Sequence, residues 1–329
     1  MTQSMTKKER VRAALAGRSV DRVPVTLWGH DYLREWSPDE LAASTLEAYR
    51  AYDWDFIKLN PRASYFSEAW GNRYDRPDEQ RSPRPIEFAV QSSDDLRAIA
   101  PVDPRGGVFG EHLEALRLVL DGVAGEADVI QTIFSPLAVT ATLAGATDRF
   151  LELAQEDPVA AHHAVEAVTE TLGAYASESV AAGASGIFFA PLTWASYDTC
   201  DAEFYNEYGR PYDLRVLDGV REAEFNVLHV CRDHNMIDLL LDYPVEAINW
   251  AAHGEGNPSL ADVRGRFDGA VMGGVDHARL GEMSPDEAAA QTRAVVEAGP
   301  ERVLVAPGCS IPPSTPSETR SAIVSATRA

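Results

Sequence analysis

Eight short apolar runs recur along this 329-residue chain, separated by segments with helical patterning. That beat constrains the fold more than any other feature. The runs are "RVPVTLWG" (Arg22–Gly29), "DFIKLNP" (Asp55–Pro61), "DVIQTIFSP" (Asp128–Pro136) and "GIFFAP" (Gly186–Pro191). They continue with "FNVLHVC" (Phe225–Cys231), "EAINWAA" (Glu246–Ala252), "AVMGGVD" (Ala270–Asp276) and "VLVAPGC" (Val303–Cys309). They are nearly continuous in apolar residues rather than alternating, as parallel strands covered on both faces are.

Three intervening segments share one start signal. "SPDE" at Ser37–Glu40, "SPDE" at Ser284–Glu287 and "TPSE" at Thr315–Glu318 each place proline and then glutamate after a capping hydroxyl. A long helix pattern ends at Gly183, and another is expected to break near Pro211. Strands alternating with helices predict an α/β fold, a (β/α)8 TIM barrel in a single domain over residues 1–329. A doubly wound open sheet is the alternative, weakened because no Gly-rich phosphate loop follows the first run. Residues 64–91 predict a hairpin-bearing insertion over the barrel mouth.

The formal net charge of −22 sets phosphate backbones and anionic membranes against this surface, so neither is an expected partner. No apolar run approaches the roughly 20 residues that span a bilayer. The N-terminal stretch is charged and carries no secretory pattern. Three cysteines are too few for a disulfide framework in a chain this long, which predicts reduced thiols and a cytoplasmic location.

In such barrels the chemistry lies at the C-terminal strand ends. His229 and Cys231, two apart in an extended run, project to one face. Cys309 closes the last run. One imidazole and two thiolates suit Zn2+ and leave a fourth position open. The pattern is also compatible with a buried strand that merely contains a histidine and a thiol. His234 reads as a helix-start residue, His112, His162 and His163 fall in helix patterns, and Cys200 has no assigned role.

"ERVRAALAGRSVDRVPV", "ASGIFFAP", "EFYNEYGRPYD", "NVLHVC", "AINWAAHGEGNPSLADV", "VMGGVDH" and "VLVAPGCSIPPSTPSE" occur in order along the chain. Together they resemble successive landmarks of the uroporphyrinogen decarboxylase superfamily, which implies a (β/α)8 barrel. The resemblance to its tetrapyrrole decarboxylases is incomplete. Their arginine-rich R-Q-A-G-R-Y segment is replaced by "WGHDYLREW", with only Arg34, and Asn60 of "KLNPR" stands where an aspartate is expected. The match to the zinc-dependent methyltransferase branch is better. Its H-x-C motif and distant cysteine fall on His229, Cys231 and Cys309. A comparable site in cobalamin-independent methionine synthase adds a glutamate, but "INWAAHGEG" offers Ala251 and Ala252 there, with His253 and Glu255 nearby.

The resemblance therefore implies methyl transfer from a methylated corrinoid, free or on a separate corrinoid protein, to a zinc-bound thiol. His30, Asp276 and Asn249 are the catalytic candidates. Trp28, Arg34, Asn60, Arg62, Tyr197 and Trp250 are the substrate-binding candidates. A metal-free decarboxylase, binding carboxylates through Arg34, Lys58 and Arg62, is the first rival. A non-catalytic barrel that binds a corrinoid or tetrapyrrole is the second. Assembly as a homodimer stays open.

Overall fold

The computed structural model describes residues 4–299 and 301–328. Seven of its strands form one parallel sheet: β1 (Phe56–Leu59), β4 (Asp128–Phe134), β5 (Gly186–Ala190), β6 (Val227–Val230), β7 (Ala247–Trp250), β8 (Ala270–Val275) and β9 (Val303–Pro307), paired in that order. Two further strands, β2 (Arg73–Tyr74) and β3 (Pro85–Glu87), make the antiparallel hairpin expected in the insertion. The sheet curls into a TIM-like barrel with helices outside, each connection carrying the chain back to start the next parallel strand.

The pleat sorts side chains into two cores. Phe56, Ile130, Phe188, Val227, Met272 and Leu304 belong to an inner cluster, into which Val11 of the Lys7–Leu15 helix is also packed. Their sequence neighbours, such as Ile57, Val129, Leu228, Ile248 and Val305, point outward and pack in the larger helix-facing cluster. Each fully buried side chain of this size contributes about 1.5–3 kcal/mol. This parity decides which residues can reach the barrel mouth.

The first expected strand, Arg22–Gly29, is extended but not a regular strand. It bridges β9 at Val25–Val305 and the following loop at Gly29–Ile311. Thr26 N donates to Val305 O (3.1 Å) and Val305 N to Pro24 O (2.8 Å), while on its other side Asp55 N donates to Val25 O (2.9 Å). Pro24 has no N–H to offer, which removes one ladder bond. Among the expected helix starts, Ser37 and Ser284 cap the helices Pro38–Tyr52 and Pro285–Glu297. Thr315 does not cap. Its hydroxyl donates to Pro312 O (2.7 Å) and Pro316 takes the cap position of Ser317–Ala326. The break expected near Pro211 falls at Gly209, between Ala202–Tyr208 and Arg210–Asp218.

The hairpin is strapped to the loop after Gly29. Gln80 Nε2 donates to Asp31 Oδ1 (2.8 Å), Tyr32 N to Gln80 Oε1 (3.1 Å), and Ser82 Oγ to Tyr32 OH (3.1 Å). None of the described helices is long and apolar enough to cross a membrane.

Candidate metal centre

β6 and β9 deliver three ligand-type side chains to one point. Val227 faces the inner core, so the period of two carries His229 and then Cys231 to the same side, with Cys231 just past the strand end. Cys309 lies two residues beyond β9, after Gly308. A Cβ at Gly308 would stand 3.0 Å from the Trp250 carbonyl oxygen and 3.1 Å from both Ala251 Cα and His277 Nδ1. Glycine lets the chain leave β9 close to the β7 exit without pressing on it.

The ligand atoms of His229, Cys231 and Cys309 all lie within 4.8 Å of one another, and the two sulfurs are 3.5 Å apart as free thiols. Two tetrahedral zinc–sulfur bonds of about 2.3 Å would set their sulfurs roughly 3.7 Å apart, so the pair is already spaced for one ion. Among the described residues no carboxylate completes the cluster. His253 Nε2 donates to Gly274 O (3.4 Å), and Glu255 is exposed.

Asn249 sets the imidazole. It sits opposite His229 in the β6–β7 register, with Oδ1 2.6 Å from His229 Nδ1. Its Nδ2 donates to Met272 O (2.8 Å) and Pro307 O (3.1 Å), which fixes the amide so that Oδ1 must accept. His229 Nδ1 is therefore the donor and Nε2 is left with its lone pair for a metal. The thiols are not equivalent. The S–H of Cys231 and the neighbouring His229 hold the Cys309 thiol well below its usual range, while the same contact and burial push Cys231 up. Burial also lowers His277, against an opposing pull from Cys309.

Beside the cluster, Phe188 stacks on His229 with ring centroids 5.0 Å apart, and Trp28 meets Phe188 edge-on at 5.3 Å. Lys58 lies over Phe188 at 4.8 Å and donates to Asn60 Oδ1, while Asn60 Nδ2 donates to Gly29 O (3.1 Å). Burial brings Lys58 down to about 7, opposed by the charges of Cys309 and Glu35. His30 Nδ1 pairs with Glu35 Oε1 (2.7 Å) and its ring stacks on Tyr32. Trp28, His30, Glu35, Lys58 and Asn60 line one cavity of about 340 Å³.

Of the other expected site residues, Arg34 lines the same cavity and the rest stand apart from it. Trp250 follows Asn249 and so faces the opposite side: it is fully buried in the outer core, with Nε1 donating to Pro258 O (2.9 Å). Arg34 is held by Glu40 (3.1 Å) and Glu47 (2.6 Å). Arg62 is buried, paired with Glu68 (2.8 Å) and stacked on Trp36. Tyr197 is 52% exposed. Asp276 shapes its own turn, accepting from Ala278 N (3.2 Å). His234 starts no helix; it pairs with Asp198 (3.0 Å) in an exposed loop. Cys200 lies 3.4 Å from Trp194 O, and burial raises it to about 12. Sequence reasoning missed Glu35, which no short motif marks, and gave His277 no role although it follows β8 directly.

The family model described as Uroporphyrinogen decarboxylase (URO-D) matches residues 6–329. The chain is 24% identical over 328 residues to methylcobamide:CoM methyltransferase MtbA of Methanosarcina acetivorans, covering 95% of this chain and 94% of that one. It is 26% identical over 251 residues, 66% of each chain, to a uroporphyrinogen decarboxylase of Nitrosococcus oceani. A solved methyltransferase from Methanosarcina mazei has the same fold, with a TM-score of 0.85 at 24% identity over 98% of both chains. A family pattern running from the first helix through the last makes this chain a member of the uroporphyrinogen decarboxylase (URO-D) family.

Proposed function

We propose that the protein is a corrinoid-dependent methyltransferase in which His229, Cys231 and Cys309 hold a zinc ion and the acceptor is a thiol. The observation that carries this reading is the preformed cluster of one oriented imidazole and two closely spaced sulfurs at the strand ends. Near-full-length similarity to a methylcobamide:CoM methyltransferase supports it. Three protein ligands leave one tetrahedral position, where bound zinc would keep a substrate thiol in its reactive thiolate form near neutral pH.

The chain's own residues prepare the remaining chemistry. Asn249 holds His229 in the tautomer that presents Nε2. Cys309 is predisposed to the thiolate form. Phe188 and Trp28 wall one side of the centre with apolar surface that keeps water from the nucleophile. A bound methyl-corrinoid would supply the methyl group to the thiolate sulfur, with the electron pair of its carbon–cobalt bond remaining on cobalt. In this reading His30, held at Nδ1 by Glu35, would take the thiol proton at Nε2.

The decarboxylase rival needs cationic side chains for carboxylates, and of the three assigned to it Arg34 and Arg62 are engaged by internal glutamates, leaving Lys58 alone. We also read residues 23–29 as the eighth stave of a closed barrel and the whole chain as one domain, on the hydrogen bonds to both neighbours. The free thiols favour a reducing, cytoplasmic setting.

The test is metal content together with turnover. Purified protein should carry about one zinc per chain and methylate a thiol from methylcobalamin. Protein that stays metal-free on reconstitution, or that decarboxylates uroporphyrinogen, would overturn the reading.

A further inference from the structure

Buried lysines are ordinarily paired with carboxylates, because an ammonium stripped of water is costly. Lys58 is 6% exposed and lacks such a partner. Among the described residues its hydrogen bond goes to the neutral amide oxygen of Asn60, and no Asp or Glu oxygen stands within ion-pairing distance. Glu35 is near enough to act on it through space, yet Glu35 Oε1 is engaged by His30 Nδ1 (2.7 Å) and Asp31 N (3.0 Å). The Lys58 ammonium rests instead on the faces of Phe188 (4.8 Å) and Trp28 (5.7 Å). Ring faces offset part of the desolvation cost but satisfy no charge.

Three features aim this unpaired cation at a ligand. Lys58 lines a cavity of about 340 Å³ that also takes in Trp28, His30, Arg34, Asn60 and Pro312, and not the three ligand-type residues themselves. It follows Phe56 at the inward-facing period of two, as His229 follows Val227. The Phe188 ring under the ammonium also stacks on His229, so Nζ stands no more than about 10 Å from the imidazole centre. A thiol whose sulfur sits at the metal centre would need a spacer of about two to four carbons to reach it, at roughly 1.5 Å per bond.

We propose that Lys58 is the specificity-determining residue for the acceptor, binding the anionic end, a carboxylate or a sulfonate, of a short thiol. This assignment rests on the methyl-transfer reading above. A positioning role is the competing account, in which the Lys58 charge merely steadies the Cys309 thiolate. The two differ in what they discriminate: an anion anchor separates charged from neutral thiols, whereas a Cys309 partner affects all thiols alike.

The experiment compares 2-mercaptoethanesulfonate, 3-mercaptopropionate and 2-mercaptoethanol as acceptors from methylcobalamin, in the zinc-loaded wild type, Lys58→Met and Lys58→Arg. Calorimetric affinities for the same three thiols are measured alongside. The wild type is expected to favour the anionic thiols by about 10- to 100-fold in kcat/KM, through KM. In Lys58→Met the anionic-to-neutral ratio should fall to near one, with zinc content retained, and Lys58→Arg should restore part of it. Preference for one anion over the other tells whether the natural ligand is the sulfonate or the carboxylate. A ratio unchanged in Lys58→Met, or no preference in the wild type, overturns the proposal. If no thiol is methylated while the charge-selective binding is present and disappears in Lys58→Met, the assignment of Lys58 stands and the methyl-transfer reading falls.

Discussion

Asn249 Oδ1 and His229 Nδ1 stand 2.6 Å apart on directly paired positions of adjacent strands, and both Asn249 amide hydrogens are spent on backbone carbonyls. The imidazole is thereby oriented before any metal arrives. Asn249→Ala should weaken zinc binding about 10- to 100-fold, as loss of an outer partner of a metal ligand does. Competition with a chromophoric chelator measures this. Zinc affinity equal to wild type would show that strand geometry alone positions His229.

The two cysteines should fail separately and completely. Cys231→Ser and Cys309→Ser each remove one of the three proposed ligands, so each variant should lose stoichiometric zinc and methyl transfer together. Neither side chain belongs to the apolar clusters that hold the barrel, so circular dichroism and melting temperature should stay close to those of the metal-free wild type. Retention of zinc by either variant would exclude that sulfur as a ligand.

Gly308→Ala tests how the last sulfur is delivered. The added methyl meets the Trp250 carbonyl and Ala251 backbone at 3.0 and 3.1 Å, contacts that backbone cannot easily relieve. The loop must shift and take Cys309 with it. We expect weakened zinc binding and a stability loss of about 1–3 kcal/mol, typical of overpacking. Denaturant titration and metal competition on the same sample separate the two effects.

One contribution to the pH dependence of stability should come from Asp213. Its Oδ2 accepts from Tyr205 OH (2.7 Å) and Tyr243 OH (3.0 Å), and burial pushes its pKa up to about 7. The folded protein thus holds this proton more tightly than the unfolded chain, whose aspartate titrates near 3.9. Its contribution is full below about pH 4 and declines as pH rises toward 7, by at most about 1.4 kcal/mol per unit. Asp21 and Asp75, lowered to about 2 by arginine partners, act below that window. The wild type minus Asp213→Asn difference in unfolding free energy should therefore fall between pH 5 and 7. A flat difference would remove Asp213 as the cause.

Much of this protein was legible in its sequence because local patterns respond to local physics. Seven of eight apolar runs are strands of the parallel sheet, since a buried strand needs only continuous apolar faces. The period of two put His229 and Cys231 on one side. The same period, applied one strand on, would have separated Asn249 from Trp250, because adjacent residues cannot share a face. Arg34 and Arg62 looked free for substrate because their partners Glu47 and Glu68 are engaged through loops and helices that no spacing rule predicts.

What the sequence determined by itself was therefore the beat of the elements, the hairpin insertion and the pair of ligand-type residues on β6. Only the tertiary structure decided that Cys309, some 78 positions away, stands 3.5 Å from Cys231. Only it decided that Asn249 fixes the imidazole by its Nδ1 and that Lys58 is buried without a counter-charge. Periodicity is carried by each segment's own burial, whereas these contacts exist only once the sheet curls and brings distant strand ends onto one mouth.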